Sequence, residues 1–320
     1  MTAEKAAFPG YTIAAIVPAY NEEVTIAQVV TDLREAVPGM RVYVFDNASS
    51  DETSARALQA GAIVRHVKRP GKGNVVREAF ADIDADIYLM IDGDDTYDAS
   101  CARGMIARLI DHRLDHVLGC RVDNPNASAY RPGHAQGNRA FNALVSRLFG
   151  DSVTDMLSGY RVFSRRFVKS FPALSRAFEI ETELTVHSMG LRVRQEEYPV
   201  GFKDRPAGSE SKLNTYRDGI AILSLISRLF ILERPALFYG VIGGFLGVLG
   251  LLLGIPVVVE YAYTGLVPRF PTAILAASLV TLAVIVGTLG TIMAGQLRAR
   301  REATRIAYLA QPSLPEMLGV

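Results

Sequence analysis

Four aspartates fall within seven consecutive residues in the first half of the chain, at Asp92, Asp94, Asp95 and Asp98. They follow directly on the apolar run 87–91, which is typical of a buried parallel strand. The acids are therefore predicted to lie at the carboxyl end of a strand, the edge at which open α/β sheets bind ligands. Clustered carboxylates repel one another unless a cation or water relieves them, and their oxygens suit Mg²⁺ or Mn²⁺ bridged to phosphate. A solvated acidic turn is the alternative that this stretch alone leaves open.

Alternating elements precede these acids and would position them. The apolar runs and the stretches between them with helical features are, in order, 12–17, 23–36, 40–45, 50–60, 62–67, 74–83 and 87–91. This series predicts an α/β fold with a mainly parallel sheet and right-handed crossovers. Polar residues follow the first two strands, and Ser50 or Asp51 is a candidate N-cap for the second helix. Because parallel strands end at one edge, these polar segments are expected to meet the acids.

A glycine-containing turn, Gly71-Lys72-Gly73, precedes the third helix. Its N–H groups and the Lys72 ammonium are suited to a phosphate, because the N-terminus of a helix carries a partial positive charge. The turn lacks the spacing of a P-loop, and no G-x-G-x-x-G follows the first strand. A plain turn is the alternative for this segment.

Four motifs in this region occur in the order and spacing of a known family: Val17-Pro18-Ala19-Tyr20-Asn21-Glu22, the segment 46–53, Gly71-Lys72-Gly73, and Asp92-Gly93-Asp94. Together they resemble the family 2 glycosyltransferases, in particular the dolichyl-phosphate mannose synthase-like branch, which includes bacterial polyprenyl-phosphate glycosyltransferases. The resemblance covers residues 12–215 and implies a GT-A type nucleotide-diphospho-sugar transferase fold. One departure is Asn47, where many relatives carry a second aspartate.

The resemblance also implies roles for individual residues in donor binding. The residues implied to contact the nucleotide are Pro18, Tyr20, Glu22, Asp46, Lys72 and Asp92. A divalent cation, Mg²⁺ or Mn²⁺, is implied beside Asp92 and Asp94, and Glu181 is a further candidate ligand on a helix that begins near residue 178. Acids in the first turns of that helix are also explained by the helix dipole alone.

Motifs after residue 100 are implied to serve the acceptor and the transfer step. Residues 155–161 resemble the family's D-x-x-S-G-[FY]-R element, which makes Asp155 a candidate general base or acceptor-positioning carboxylate and Arg161 a candidate catalytic phosphate contact. The polar segment 203–213 resembles an R-x-x-G-x-S-K-L loop that closes over phosphate. The residues expected to bind the acceptor phosphate are Arg131, Arg139, Arg205, Ser211 and Lys212. An N-cap, structural salt bridges and a solvated linker are the alternatives.

Further elements are predicted between and around these motifs. They are helices at 101–110 and 136–149 and strands at 116–121 and 191–200.

The C-terminal third of the chain is apolar. Hydrophobic residues make up 49% of the chain and the mean hydropathy is +0.19, with the excess after residue 235. Uncharged stretches at 236–259 and 272–294 are long enough to cross a hydrocarbon core of about 30 Å. The predicted organisation is a catalytic domain at 1–214, an interfacial helix at 215–234, a transmembrane hairpin within 235–297 and a basic tail at 298–320.

Charge and small residues around these spans predict topology and packing. Arginines flank both spans on one side, so the positive-inside rule places the catalytic domain and the C-terminus of this multi-pass protein in the cytoplasm, at the inner (plasma) membrane. Six glycines between 240 and 254 permit close helix packing, either within the hairpin or between protomers of a homo-oligomer.

Composition excludes some classes of partner. The chain has 34 basic and 33 acidic residues and a net charge of +1, so no global field favours nucleic acid. Cys101 and Cys120 lack metal-ligand spacing and are predicted to be buried thiols of a reducing compartment. Residues 1–10 contain no long apolar run, so no signal peptide is predicted.

These observations and the resemblance predict an inverting, metal-dependent glycosyltransferase that moves a sugar from a UDP- or GDP-sugar to a membrane polyprenyl phosphate, for cell-envelope glycan or glycoconjugate synthesis. A processive polysaccharide synthase is disfavoured, because Ala140 follows Gln136-Gly-Asn-Arg139 where such enzymes carry Q-x-x-R-W, and the chain has no tryptophan. The alternative from another class is a catalytically inactive, membrane-anchored sugar-nucleotide-binding or lipid-flipping subunit. A nucleotidyltransferase is a third and more distant alternative.

Overall fold

The computed structural model of the protein describes residues 6–122, 154–173, 179–203 and 231–317. These residues form two units. The first contains the described residues up to 203 together with 304–317, and the second contains 231–303.

A mixed, mainly parallel sheet forms the centre of the first unit. Within the described residues it has seven strands: β1 (Ile13–Ala19), β2 (Arg41–Asp46), β3 (Ile63–His66), β4 (Ile87–Met90), β5 (His116–Val122), β6 (Arg161–Ser164) and β7 (Gln195–Gly201). Their order is β3-β2-β1-β4-β6-β5-β7. Strand β6 runs antiparallel to both of its neighbours, and every other pairing is parallel. The predicted α/β fold with a mainly parallel sheet is confirmed.

Helices cover both faces of this sheet. Those of the first unit are α1 (Ile26–Ala36), α2 (Thr53–Gln59), α3 (Lys72–Asp82), α4 (Cys101–Asp111), α5 (Arg165–Ser170) and α6 (Glu179–Leu191). Because successive strand residues point to opposite faces, β1 contributes Ile13, Ala15 and Val17 to one apolar layer and Ala14 and Ile16 to the other. Burial on both faces explains why β1 is a continuous apolar run.

The element boundaries differ from the sequence predictions where long-range contacts intervene. Helix α1 begins at Ile26 instead of residue 23, and the N–H groups of residues 21–23 before it bond to the side chains of Ser49, Thr53 and Asp51. The N-cap of α2 is Glu52, not Ser50 or Asp51, and it makes no side-chain cap bond. Helix α6 extends to Leu191, where a strand was predicted, and β7 starts at Gln195. The predicted helix 136–149 lies outside the described residues.

The second unit is built from two long apolar helices, α7 (Pro235–Thr264) and α8 (Phe270–Leu309), of which α8 continues into the first unit. Both are long and apolar enough to cross a membrane. Glu260 lies within α7 and forms an ion pair with Arg269 at 3.1 Å, so the connecting loop is shorter than predicted. Most of the predicted interfacial helix 215–234 lies outside the described residues.

Glycines of α7 face α8. A Cβ atom at Gly250 would lie 2.9 Å from Val280 Cγ2, and one at Gly243 would lie 3.0 Å from the Ala283 carbonyl oxygen. Gly240 and Gly244 have no such neighbour within 4 Å. Close packing within the hairpin therefore accounts for part of the glycine pattern, and the homo-oligomer stays a prediction.

The end of α8 and the short helix α9 (Leu314–Met317) belong to the first unit. Tyr308 and Leu314 are buried there, and Leu314 joins the apolar layer that contains Val17. Residues 304–317 of the predicted basic tail therefore pack as part of the α/β unit.

Candidate active site

The polar segments of the first unit meet at one edge of its sheet. Because β6 alone runs in the opposite direction, the amino end of β6 shares that edge with the carboxyl ends of the other strands. Among the described residues, the edge therefore combines the segments after β1, β2, β3, β4 and β7 with the Ser158-Gly159-Tyr160 segment before β6. We call it the carboxyl edge.

The loops after β1 and β2 hold each other in place. The N–H groups of Asn21 and Glu22 donate to the hydroxyls of Ser49 at 3.0 Å and Thr53 at 2.9 Å. In return, the N–H of Ser50 donates to the side-chain oxygen of Asn21 at 2.8 Å. These bonds build a fixed rim beside Pro18, Tyr20 and Glu22.

Side chains on this rim differ in exposure. Tyr20 is 46% exposed, whereas Asp46 is 6% exposed. Asp46 accepts the N–H of Ser49 at 2.9 Å and the hydroxyl of Ser54. Burial disfavours the charged carboxylate, but the hydrogen bonds from Ser49 and Ser54 prevail and lower the pKa of Asp46. Asp46 is thus a preformed anionic acceptor beside an exposed aromatic ring.

The acidic turn after β4 packs tightly against the end of β1. The Thr25 hydroxyl donates to the Gly93 carbonyl at 2.7 Å, and a Cβ atom at Gly93 would lie 3.2 Å from the carbonyl oxygen of Pro18. Glycine between the two aspartates therefore permits this close approach. Asp94 is buried, and one of its oxygens accepts the N–H and the hydroxyl of Thr96 at 3.2 and 2.6 Å.

Lys72 joins two of the predicted site carboxylates. Its ammonium forms ion pairs with Asp92 and with Glu181, the latter at 2.6 Å. Burial opposes the charge on Lys72, but the attraction of the two carboxylates outweighs it and raises the pKa of the ammonium above its ordinary value. The second oxygen of Glu181 is buried and has no hydrogen-bond partner among the described residues.

The ion pair with Lys72 argues against the prediction that Glu181 is a metal ligand. Glu181 and Asp92 are both paired with the Lys72 ammonium, whose charge would repel a metal ion, but Glu181 is also buried, whereas the Asp92 side chain is 29% exposed. Among the residues that the structure describes, no group of three metal-ligating side chains is assembled. Asp94 is the predicted ligand that the Lys72 ion pairs do not involve.

Asp155 is paired with an arginine that the sequence analysis did not select. Its two oxygens accept Nε of Arg121 at 2.7 Å and a terminal guanidinium nitrogen at 2.6 Å. Because both carboxylate oxygens are occupied by the guanidinium of Arg121, the geometry does not favour Asp155 as a general base. Arg121 also lies over the ring of Phe202 at 5.4 Å. The sequence signal that could have identified Arg121 is its position at the end of a predicted strand, β5, and so at the carboxyl edge.

Arg161 is placed differently from the predicted phosphate contact. Its side chain is buried, and its three guanidinium nitrogens donate to the Ser158 carbonyl, the Thr185 hydroxyl and the Met156 carbonyl at 2.8, 2.9 and 2.6 Å. Burial lowers the pKa of Arg161 to about 10. This side chain holds the segment before β6 from inside the protein, and its burial does not favour the predicted contact with a ligand phosphate.

Two further residues at the carboxyl edge were missed. The buried Tyr97 hydroxyl accepts the N–H of Gly159 at 3.0 Å, which holds the segment before β6 next to the acidic turn. The N–H of Lys203 donates to the Thr96 carbonyl at 2.7 Å. The segment after β7 therefore starts beside the acids. Neither contact has a signal in the local sequence, because each joins residues far apart in the chain.

Comparison with known proteins settles the family. A model described as Glycosyl transferase family 2 matches residues 14–171. Glycosyltransferase AglJ of Haloferax volcanii is 35% identical over 247 residues, which cover 77% of this chain and 81% of AglJ. The chain belongs to the family 2 glycosyltransferases. The family predicted from the motifs is confirmed, and the chain is a glycosyltransferase.

Other relatives of this glycosyltransferase agree in family and fold. The dolichyl-phosphate hexose transferase of Haloferax volcanii is 28% identical over 222 residues, covering 69% of this chain and 95% of that protein. Glucosyl-3-phosphoglycerate synthase of Mycobacterium tuberculosis, solved with Mn²⁺, UDP-glucose and phosphoglyceric acid, superposes with a TM-score of 0.56 at 23% identity, over 69% of this chain and 81% of that one. This likeness confirms the GT-A fold.

The remaining predicted site residues of the glycosyltransferase are Arg131, Arg139, Arg205, Ser211 and Lys212, and they lie outside the described residues. The described residues next to these segments are placed at the carboxyl edge. Val122 ends β5, one residue after Arg121, and Lys203 binds the acidic turn.

The two cysteines are free thiols and are only partly buried. Burial raises the pKa of Cys120 to about 12, so its thiol is protonated at neutral pH.

Proposed function

We propose that this glycosyltransferase transfers a sugar, with inversion, from a nucleoside diphosphate sugar to a membrane polyprenyl phosphate. The observation that carries the proposal is the cluster of Lys72, Asp92 and Glu181 beside Asp94, at the edge where the donor motifs meet. The Lys72 ammonium and the carboxylate oxygens around it are the kinds of group that bind a diphosphate directly or through a divalent cation, which supports a nucleoside diphosphate donor.

The rim after β1 and β2 supplies the donor pocket. Tyr20 offers an exposed ring against which a base can stack, and the Asp46 carboxylate accepts an N–H or O–H of the nucleoside. Pro18 and Glu22 complete this rim. The Mycobacterium tuberculosis neighbour binds UDP-glucose, which supports a nucleotide sugar as the donor.

A divalent cation fits the carboxylate oxygens of the acidic turn after β4. Mg²⁺ is usually held by one or two carboxylates together with substrate phosphates, so Asp94 with Asp92 nearby suffices without a third protein ligand. The same neighbour has been solved with Mn²⁺ or Mg²⁺. When bound, the metal neutralises negative charge on the departing diphosphate. Glu181 instead holds Lys72, which faces the same phosphates.

The acceptor needs little activation by the protein. The second pKa of a phosphate monoester is about 6, so the polyprenyl phosphate is already a dianionic nucleophile at neutral pH. Its oxygen attacks the anomeric carbon, and the bond from that carbon to the nucleoside diphosphate breaks on the opposite face. No proton has to be removed, which agrees with the pairing of Asp155 to Arg121. Asp155 then positions Arg121 toward the acceptor.

Basic side chains around the site would hold the acceptor phosphate. Arg121 lies at the edge, and the predicted contacts Arg131, Arg139, Arg205, Ser211 and Lys212 belong to the segments that follow β5 and β7. The relative that is a dolichyl-phosphate hexose transferase supports a lipid phosphate as the acceptor.

The two apolar helices supply the membrane anchor in this proposal. They would span the plasma membrane, with the arginines that flank them and the catalytic unit on the cytoplasmic side. A tethered active site meets an acceptor whose prenyl chain stays in the bilayer.

The proposal is tested with the purified full chain, labelled UDP-glucose, GDP-mannose and related donors, and polyprenyl phosphate. Asp94→Ala is expected to lose at least about 100-fold of the transfer rate at limiting metal. An unchanged rate for this variant contradicts the assignment. Donor binding measured by calorimetry without any transfer would favour the inactive binding subunit instead.

A further inference from the structure

Asn47 is buried at the end of β2 and ties that strand to the loop before α3. Its side-chain nitrogen donates to the carbonyl oxygens of Val67 at 3.2 Å and Arg69 at 2.7 Å. Its side-chain oxygen accepts the N–H of Gly71 at 2.6 Å. Both amide hydrogens and one oxygen lone pair are therefore used inside the protein.

Only an amide satisfies this set of partners. The two carbonyls need donors and the Gly71 N–H needs an acceptor, and asparagine offers both from one planar group. The same pattern fixes the orientation of the amide, because the reversed orientation would set its oxygen against the two carbonyls. A carboxylate at position 47 would keep the bond to Gly71 but place a negative oxygen against the oxygens of Val67 and Arg69.

The loop that Asn47 holds leads directly to Lys72. Gly71 has a φ of 117°, in the region that favours glycine, and it is the N-cap of α3. Lys72 is the first residue of that helix, and its ammonium lies between Asp92 and Glu181. The position of the Gly71 backbone therefore determines where the Lys72 side chain starts.

We propose that Asn47 is a positioning residue that sets the Lys72 ammonium between Asp92 and Glu181 and thereby strengthens binding of the donor diphosphate. The inference rests on the proposed function, in which Lys72 faces that diphosphate. The two donor hydrogens of the Asn47 amide are engaged by Val67 and Arg69, so they are not available to the nucleotide.

The first experiment needs no ligand. The full chain is acetylated for short times and the modification of each lysine is read by mass spectrometry. In Asn47→Asp, Lys72 is expected to react about tenfold faster than in the parent protein, because release of the loop frees the ammonium from its ion pairs. Lys169, whose ammonium donates to the Phe80 and Ile83 carbonyls, reports general unfolding and should be unchanged. Equal Lys72 labelling in variant and parent overturns the inference.

The second experiment is a double-mutant cycle on transfer kinetics, with UDP-glucose as the first probe and the other labelled donors in parallel. Asn47→Asp is expected to raise the donor KM about tenfold with a smaller change in kcat. In a Lys72→Met background the same substitution should change KM less than about twofold, because its effect passes through Lys72. Gln28→Ala, which removes an exposed hydrogen bond from the Gln28 side-chain amide to Asp32 on α1, serves as the control and should leave KM and kcat unchanged.

The outcomes separate the inference from the proposed function. An equal rise of KM in both backgrounds shows that Asn47 acts without Lys72 and overturns the inference. If Asn47→Asp binds the donor as tightly as the parent does, the inference is also overturned. That result would mean that the side-chain oxygen at position 47, which Asn and Asp share, accepts a hydrogen bond directly from the nucleotide. An unchanged KM in Lys72→Met alone overturns the diphosphate contact of the proposed function, whereas the acetylation rates still decide whether Asn47 holds Lys72.

Discussion

Two buried clusters of charge lie at opposite edges of the sheet and differ in how their carboxylates are satisfied. At the amino edge, Asp115 accepts four bonds: one from the Ser164 hydroxyl at 2.7 Å, two from Arg166 at 2.5 and 2.8 Å, and one from the Tyr308 hydroxyl at 2.8 Å. At the carboxyl edge, Asp92 and Glu181 share the ammonium of Lys72, and one Glu181 oxygen has no partner among the described residues.

The difference separates a structural cluster from a functional one. A carboxylate has about four lone-pair sites, so Asp115 has none left for a ligand. Two carboxylates around one ammonium leave an excess negative charge, and an unsatisfied buried oxygen costs about 1–3 kcal/mol. We expect a bound ligand to relieve this deficit at the carboxyl edge. Substitutions at the carboxyl edge should therefore change turnover, and substitutions at the amino edge should change stability.

The largest effect is expected at Asp92. Asp92→Asn keeps the shape but weakens the hold on Lys72 and on a metal, so kcat/KM for transfer should fall about 100- to 1000-fold. The midpoint of thermal unfolding should stay within about 2 °C of the parent's. Asp95→Asn is the matched control, because within the described residues the Asp95 carboxylate makes only a long ion pair, with Lys203 at 3.4 Å. An equal loss of kcat/KM in both variants would show that Asp92 has no role in transfer beyond that of its neighbour Asp95.

Asp115→Asn should show the opposite pattern. Arg166 would lose its charged partner at a site where Asp115 is 1% exposed, which should lower the free energy of unfolding by about 3 kcal/mol. Chemical denaturation measures this change. Transfer per folded molecule should equal that of the parent at temperatures where the variant is folded, and a specific loss of turnover would break the contrast between the two edges.

The amino-edge cluster could not have been predicted from the sequence, whereas much of the carboxyl edge could. Apolar runs revealed β1 and β4 because strands buried on both faces are continuously apolar, and the acids after β4 lie at the predicted edge. Asp115 and Tyr308 are 193 residues apart, and no local pattern joins them. Likewise, nothing in a D-x-x-S-G-Y-R motif shows that Arg161 points into the protein or that Arg121 pairs with Asp155.

A smaller loss of stability is expected for Tyr308→Phe. It removes one hydrogen bond to a buried carboxylate, which should cost about 1.5–2 kcal/mol. Tyr261→Phe on the second unit, where Tyr261 is 55% exposed, is the control and should be neutral. Unfolding curves of the two variants that coincide would show that Tyr308 contributes nothing to the cluster.

Glu181→Gln tests the same contrast at the second carboxylate that pairs with Lys72. The substitution removes the excess charge beside Lys72 while it preserves the side-chain shape. The protein should unfold at the same or a slightly higher temperature, whereas transfer should fall about tenfold because the position of Lys72 is less defined. Calorimetric unfolding and steady-state rates are measured on the same samples, and a large loss of stability would mean that Glu181 is structural.

The smallest effect concerns pH and Asp46. Its pKa in the folded protein is lowered, so it contributes stability above its ordinary pKa, and this contribution is lost as the pH falls through the folded-state value. The stability difference between the parent and Asp46→Asn should therefore shrink on acidification below about pH 4. Denaturation curves across that pH range measure the difference in free energy of unfolding between the two proteins. A difference that grows in acid would contradict a lowered pKa of Asp46.

The central claim is tested most directly by following the sugar into lipid. The full chain is reconstituted in vesicles with polyprenyl phosphate, Mg²⁺ or Mn²⁺ and each radiolabelled sugar nucleotide, and the organic-phase product is identified by mass spectrometry. The account predicts a lipid phosphate sugar with one donor, dependent on the metal, absent with Asp94→Asn and present with Asp115→Asn at a temperature where it is folded. Tight donor binding with no labelled lipid, or labelled lipid of equal yield with Asp94→Asn, would contradict it.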